Sequence, residues 1–166
     1  MDDSISIKKL YNGNYILGVH IADVAHYLKP NMSTFKEALK RGTSLYLGET
    51  VIPMIPSELS NGICSLNEGV ERLTKSCIIE INQKGKIINS KIVDSVIISK
   101  KKMAYEELNE IFKNNEYTEE YLGFKEDLNL MRELSNIITR NKNKQGNLDF
   151  ESNDIYVEKD IFNNDK

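Results

Sequence analysis

The sequence predicts an α+β or mixed α/β fold, a sheet built mostly of antiparallel hairpins with helices flanking it. Three observations predict this. Two pairs of apolar runs are each joined by a short polar turn, at Tyr11–Asn14 and Asn82–Gly85. From Glu119 to Asn143 apolar residues recur every three to four positions, the period of a helix with one buried face. Hydrophobic residues make up 40% and charged residues 28% of the 166 positions, the balance of a folded single domain rather than a disordered chain.

The elements follow in order. Met1-Asp2-Asp3 leads almost directly into a strand, an abruptness expected of a piece excised from a longer protein. Ile5–Leu10 and Tyr15–Val24 flank Asn12-Gly13, and both turn residues tolerate positive φ. The second strand, YILGVHIADV, is apolar on both faces and reads as central. Its His20 reads as a hydrogen-bonded core residue or a ligand, and Asp23 as a cap or a polar site residue. Thr34 and Glu37 have capping-box spacing before a short helix whose Phe35, Ala38 and Leu39 share a face, with Gly42 as its stop.

The stretch Arg41–Cys77 is apolar yet broken by two prolines and several glycines, so it reads either as a functional loop system or as a segment whose regular elements escape the sequence pattern. Cys77–Ile81 and Lys86–Ser99 form the second hairpin, Tyr105–Phe112 a helix, and Glu119–Asn143 a long helix with Gly146 as its stop. Asn147–Glu151 and Ile155–Val157 read as short extended pieces before a polar tail.

Composition excludes several classes. Net charge is −3, which argues against a strong sequence-independent nucleic-acid binder, although Lys100–Lys102 and Arg132–Lys144 are local basic patches. The two cysteines, Cys64 and Cys77, suggest neither a disulfide framework nor a zinc site. No run approaches the ~20 apolar residues needed to cross a bilayer, and the first residues lack a secretory pattern, so a cytoplasmic location is expected. No phosphate-binding glycine loop, Ser-His-Asp order or HExxH is present.

Few residues suggest chemistry. Asp2-Asp3 is an adjacent carboxylate pair that suits Mg²⁺ or Mn²⁺ if the backbone there is irregular, and is otherwise solvated charge. Tyr46 and Phe150 are candidate stacking platforms for unpaired bases, with core packing as the alternative. Arg72 and Lys75 are candidate phosphate contacts or plain surface charge.

Taken together, the strings GVHIADVAHYL, RGTSLYL and VIPMIPSELSNGICSLNEGVERLTKSC resemble the catalytic (RNB) domain of the ribonuclease R and ribonuclease II family. The resemblance continues through KGKI, MAYEELNEI and GNLDFE, covers essentially the whole chain, and leans to the ribonuclease R side. It implies a partial RNB-type domain over residues 1–166, truncated at both ends, from a processive 3′-to-5′ exoribonuclease that hydrolyses single-stranded RNA to nucleoside 5′-monophosphates.

The resemblance also implies roles for single residues. Asp2 and Asp3 match the last two aspartates of a D-x-D-D acidic loop. Asp2 takes the position most needed for cleavage, and Asp3 that of a ligand to Mg²⁺ (or Mn²⁺). Tyr46 matches the tyrosine that packs on the 3′-terminal base, and Phe150 the phenylalanine that clamps the same end. The first two aspartates of the loop, a downstream basic segment, and the cold-shock and S1-type RNA-binding domains are not in these 166 residues, so the piece alone is expected to be inactive. The alternative is a non-catalytic RNA-binding or interaction module with the same fold.

Overall fold

The computed structural model describes residues 3–47 and 50–146. Its centre is a four-stranded antiparallel sheet of order β1-β2-β5-β6, with β1 at Ser4–Lys9, β2 at Tyr15–Ala22, β5 at Glu71–Ile81 and β6 at Ile87–Ile98. Between β2 and β5 come α1 (Val24–Tyr27), α2 (Ser33–Arg41), a two-stranded hairpin of β3 (Leu45–Leu47) and β4 (Thr50–Ile52), and one wide helical turn at Glu58–Ile63. After β6 come α3 (Tyr105–Asn114), α4 (Glu119–Leu122) and α5 (Lys125–Lys144). The expected antiparallel, hairpin-built α+β architecture is the one found.

The two hairpins form where the turn chemistry places them, with one difference. In the first turn only Gly13 takes positive φ, at 83°. Its N–H donates to the Leu10 carbonyl at 2.9 Å, and the Leu10 N–H donates to Asn14 at 2.8 Å. Asn12 contributes through its side chain, which accepts the Asn14 N–H at 3.0 Å. Gly85 closes the second turn at φ 76°, and a Cβ there would lie 3.0 Å from the Ile137 carbonyl. A glycine therefore lets this hairpin tip abut α5, where Asn141 Nδ2 donates to the Gly85 carbonyl at 3.0 Å.

Several expected boundaries move. β2 ends at Ala22, and Asp23 caps α1 by accepting the His26 N–H at 3.1 Å. β2 is central, but its Ile21 is 51% exposed, so that end is not covered on both faces. The Thr34–Glu37 capping box does not form: the N-cap is Met32, two residues earlier, and it has no side-chain cap. Glu37 instead accepts from Arg41 Nε at 3.1 Å, the ordinary pairing one turn along a helix. Leu39 faces solvent, while Phe35 and Ala38 pack with Leu28, Met54 and Ile55.

β5 starts at Glu71, six residues before the expected Cys77, because its polar first half pairs with β6 and, from Thr74 on, with β2 as well. The long C-terminal helix is broken at Gly123–Phe124 into α4 and α5. α5 covers one end of one sheet face, where Leu134 packs on Tyr15 and Ile81. A second cluster of Ile111, Tyr121 and Leu128 binds α3, α4 and the start of α5 together. Within the Lys100–Lys102 patch, Lys101 is paired with Glu120, so that charge is already partnered. No helix among the described residues is long and apolar enough to cross a membrane.

Candidate functional site

Asp3 lies in irregular, exposed backbone immediately before β1. Irregular backbone is the condition under which adjacent carboxylates can turn toward one ion. Asp2 and Phe150 lie outside the described residues. Because Ser4 pairs with His20, and Ala22 with Thr74, Asp3 sits at the sheet end where β2 finishes and the first half of β5 runs.

Asp23, Lys75 and Asp94 belong to the same end. Lys75 Nζ is ion-paired with Asp94 and lies 3.8 Å from Asp23 Oδ2. The hydrogen bond to Asp94 holds the Lys75 ammonium above its ordinary pKa. Lys75 is therefore engaged by two carboxylates rather than left open for a phosphate. Among the described residues no three His, Cys, Asp or Glu side chains cluster closely enough to hold a metal ion. The oxygen donors of Asp2 and Asp3 are of the hard type that Mg²⁺ or Mn²⁺ takes, and they would supply part of such a site.

Tyr46 is placed by a short projecting hairpin in which Leu45 pairs with Ile52, Tyr46 with Val51 and Leu47 with Thr50. Two contacts fix its base: Arg41 Nη1 donates to the Pro53 carbonyl at 2.9 Å, and the Met54 N–H donates to Ser44 Oγ at 2.9 Å. Tyr46 is 75% exposed, so it belongs to no core.

Arg72 is engaged in a different way. Its Nε donates to the Ser65 carbonyl at 2.9 Å and its Nη1 to the Glu71 carbonyl at 2.9 Å. The guanidinium braces the turn after Glu58–Ile63 against β5, over the buried Cys64, whose thiol pKa burial pushes up. Its Nη2 also reaches the Gly62 carbonyl at 3.5 Å, so all three guanidinium nitrogens donate to the protein's own carbonyls. The exposed remainder of the fork is what a phosphate contact would have to use.

A polar ladder on the opposite face from α5 was not recognised in the sequence. His20 Nδ1 lies 2.6 Å from Ser76 Oγ and its Nε2 lies 2.9 Å from Ser6 Oγ. Thr74 Oγ1 lies 2.7 Å from Ser95 Oγ, and Ser76 also bonds Ser95. Hydroxyls can donate or accept, so either neutral tautomer of His20 is satisfied, which answers the open reading of that residue as a core group. Gly18 is required beneath the ring, since a Cβ there would come within 2.4 Å of Ser6 Oγ and 2.8 Å of His20 Nε2. The available signal was small hydroxyl residues two apart on one strand, Thr74 and Ser76.

Burial holds the His20 pKa below its ordinary 6.5. As pH falls below 6.5 the unfolded chain takes up a proton that the folded chain refuses, so stability falls in that window. We expect the urea midpoint to drop between neutral pH and a pH about one unit below the ordinary imidazole value, and the drop to shrink in His20→Gln. An unchanged pH dependence in His20→Gln would show that another group is responsible.

The RNB domain family model matches residues 1–165. The chain belongs to the RNB domain family. Ribonuclease R of Thermotoga maritima is 50% identical over 94% of this chain, and Ribonuclease R 1 of Lactococcus lactis 42% identical over 100% of it. The solved structure of Mycoplasma genitalium RNase R in complex with ribose methylated single-stranded RNA superposes on 90% of this chain, with a TM-score of 0.82 and 34% identity. This RNB chain spans 22%, 20% and 23% of the lengths of those three proteins, about a fifth of each.

Proposed function

We propose that this chain forms part of the catalytic domain of a 3′-to-5′ exoribonuclease that hydrolyses single-stranded RNA to nucleoside 5′-monophosphates. The observation that carries the proposal is Tyr46, an exposed aromatic on an anchored hairpin in a chain of the RNB family. On this reading Tyr46 stacks on the 3′-terminal base, Phe150 clamps the same end, and Arg72 contributes a phosphate contact from the exposed part of its fork. Stacking is indifferent to base identity because every base has a π face, which suits degradation of any sequence. The ring holds the terminal nucleotide in place, and positioning of that kind lowers a reaction barrier on its own.

Asp2 and Asp3 would hold Mg²⁺ (or Mn²⁺) at the scissile phosphate. When bound, such an ion lowers the pKa of a water and stabilises charge on the phosphate. The side chains' own part is to supply fixed negative oxygens. The activity is proposed for a protein that carries these residues within a chain of the length its relatives have, in the cytoplasm; the 166 residues alone are expected to release no mononucleotide.

The test is a chimera in which residues 1–166 replace the matching segment of the Thermotoga maritima relative. The chimera is expected to degrade single-stranded RNA. A folded but inactive chimera would overturn the proposal. In that chimera Tyr46→Ala is expected to weaken binding of an RNA 3′ end by about 1–3 kcal/mol, equally for all four terminal bases. Unchanged affinity in a fluorescence titration would remove Tyr46 from the site.

A further inference from the structure

We propose that Arg41 is a positioning residue for the 3′-end site: from the last turn of α2 it grips the exit strand of the β3–β4 hairpin and so sets where the Tyr46 ring stands. Given a 3′-terminal base stacked on Tyr46, as proposed above, Arg41 decides the aim of the ring while touching no RNA itself.

The hairpin cannot hold its own posture. It has three residue pairs, and a two-stranded ribbon alone is marginally stable at best. Among the described elements, β3 and β4 pack extensively only on each other. The exit strand runs into Pro53, which has no N–H to extend the ladder past Ile52. Two polar groups therefore remain at the foot of the hairpin, the Pro53 carbonyl and the Met54 N–H. Side chains from the entry side take both: Arg41 Nη1 donates to the Pro53 carbonyl at 2.9 Å, and Ser44 Oγ accepts the Met54 N–H at 2.9 Å. Each bond crosses from one foot of the hairpin to the other, so the hinge is latched twice.

Arg41 is itself firmly mounted. It is the last residue of α2, and Gly42 closes the helix at φ 71°, its N–H donating to the Ala38 carbonyl at 2.9 Å. Glu37, one turn back, accepts from Arg41 Nε at 3.1 Å, which orients the planar fork so that Nη1 meets Pro53. The helix is seated by Phe35 and Ala38 on Leu28, Met54 and Ile55. Glu37, Arg41 and Pro53 thus tie the hairpin to a packed helix. A stacking contact needs such a mount, because only the fraction of molecules with the ring in place binds at full affinity.

This role differs in kind from a direct phosphate contact. A phosphate contact needs only a cation, and salt weakens it by competing for the phosphate. The latch needs the fork: a lysine at position 41 keeps the charge, but its single ammonium cannot face Glu37 and Pro53 in the geometry that two guanidinium nitrogens give. Ser44 carries no charge at all, yet its bond to Met54 does the same work, so its loss should leave the same signature.

Equilibrium binding of a single-stranded RNA ending in 2-aminopurine, measured in the chimera, tests this. The fluorescence of that base falls when its ring is stacked. Arg41→Ala, Arg41→Lys and Ser44→Ala are each expected to lose part of the quenching and to weaken binding by about 2- to 12-fold, the factor one such hydrogen bond contributes to an equilibrium. In a Tyr46→Ala background the same substitutions are expected to cost nothing further. The slope of log Kd against log salt is expected to stay at the parent's value, where loss of one phosphate contact would lower it by about 0.7. Matching far-UV circular dichroism shows the variants folded, and Ser44→Ala carries the test if neither Arg41 variant folds. Parental quenching in the folded variants, parental affinity in Arg41→Lys, losses that add to that of Tyr46→Ala, or a lowered salt slope would each overturn the proposal while leaving Tyr46 in the site. Unchanged binding in Tyr46→Ala itself would overturn the placing of the base, and the role of Arg41 with it.

Discussion

Asp2→Asn in the chimera is expected to lower RNA cleavage by roughly 10²–10³-fold, from several kcal/mol of lost electrostatic stabilisation at about 1.4 kcal/mol per tenfold. RNA binding should stay nearly unchanged. The substitution keeps the size of the side chain and one acceptor oxygen, and replaces the other oxygen and the negative charge with a neutral NH2 donor. Affinity would come from stacking at Tyr46 and from phosphate contacts, to which that charge adds nothing favourable. Single-turnover cleavage and equilibrium binding, measured on the same RNA, separate the two quantities. Equal losses in both would mean that Asp2 shapes the binding surface, and the catalytic assignment would fall.

Leu134→Ala is expected to destabilise the fold by about 2–5 kcal/mol, the cost of a cavity that a packed site cannot collapse to fill. Leu134 is buried at the meeting of α5 with Tyr15 of β2 and Ile81 of β5, ringed by Ile7, Leu17 and Ile79. Beyond this cluster, α5 is tied to the sheet by Asn141 at Gly85 and by Glu133 at Lys9, and the latter pair is exposed. Exposed ion pairs contribute little, so the apolar contact decides whether the helix stays docked. Leu39→Ala, at a position 73% exposed on α2, is the control, expected within about 0.5 kcal/mol of the parent. Urea midpoints for the two variants check the contrast, and equal shifts would show that α5 is held by something other than this cluster.

Much of the fold was legible because its punctuation is local. Gly13 and Gly85 mark the two hairpin turns and Gly42 ends α2, all with positive φ. The beginning of β5 was not legible: Arg72, Thr74, Lys75 and Ser76 have the composition of a loop, and only pairing with β6 throughout, and with β2 from Thr74 on, makes that segment a strand. The capping box at Thr34 failed for the related reason that a matching spacing does not guarantee that the chain enters the helix at that residue.

The candidate site was legible in residue type but not in exposure. Tyr46 in an irregular, apolar stretch could equally have been core, and the exposed side chain follows from a hairpin fixed by Arg41 and Ser44. Neither Arg72's carbonyl partners nor the serine ladder around His20 could be read from the sequence, because both depend on strand register. Asp2 and Phe150 were candidates by residue type whose roles came from the resemblance to the family, and both lie outside the described residues.

The central claim, that these residues serve a 3′-end exonuclease, is tested most directly by the products of the chimera acting on a single-stranded RNA labelled at its 5′ end. The account predicts a ladder that shortens from the 3′ end, with nucleoside 5′-monophosphates as the released species. Internal cleavage fragments, or shortening from the labelled end, would contradict it.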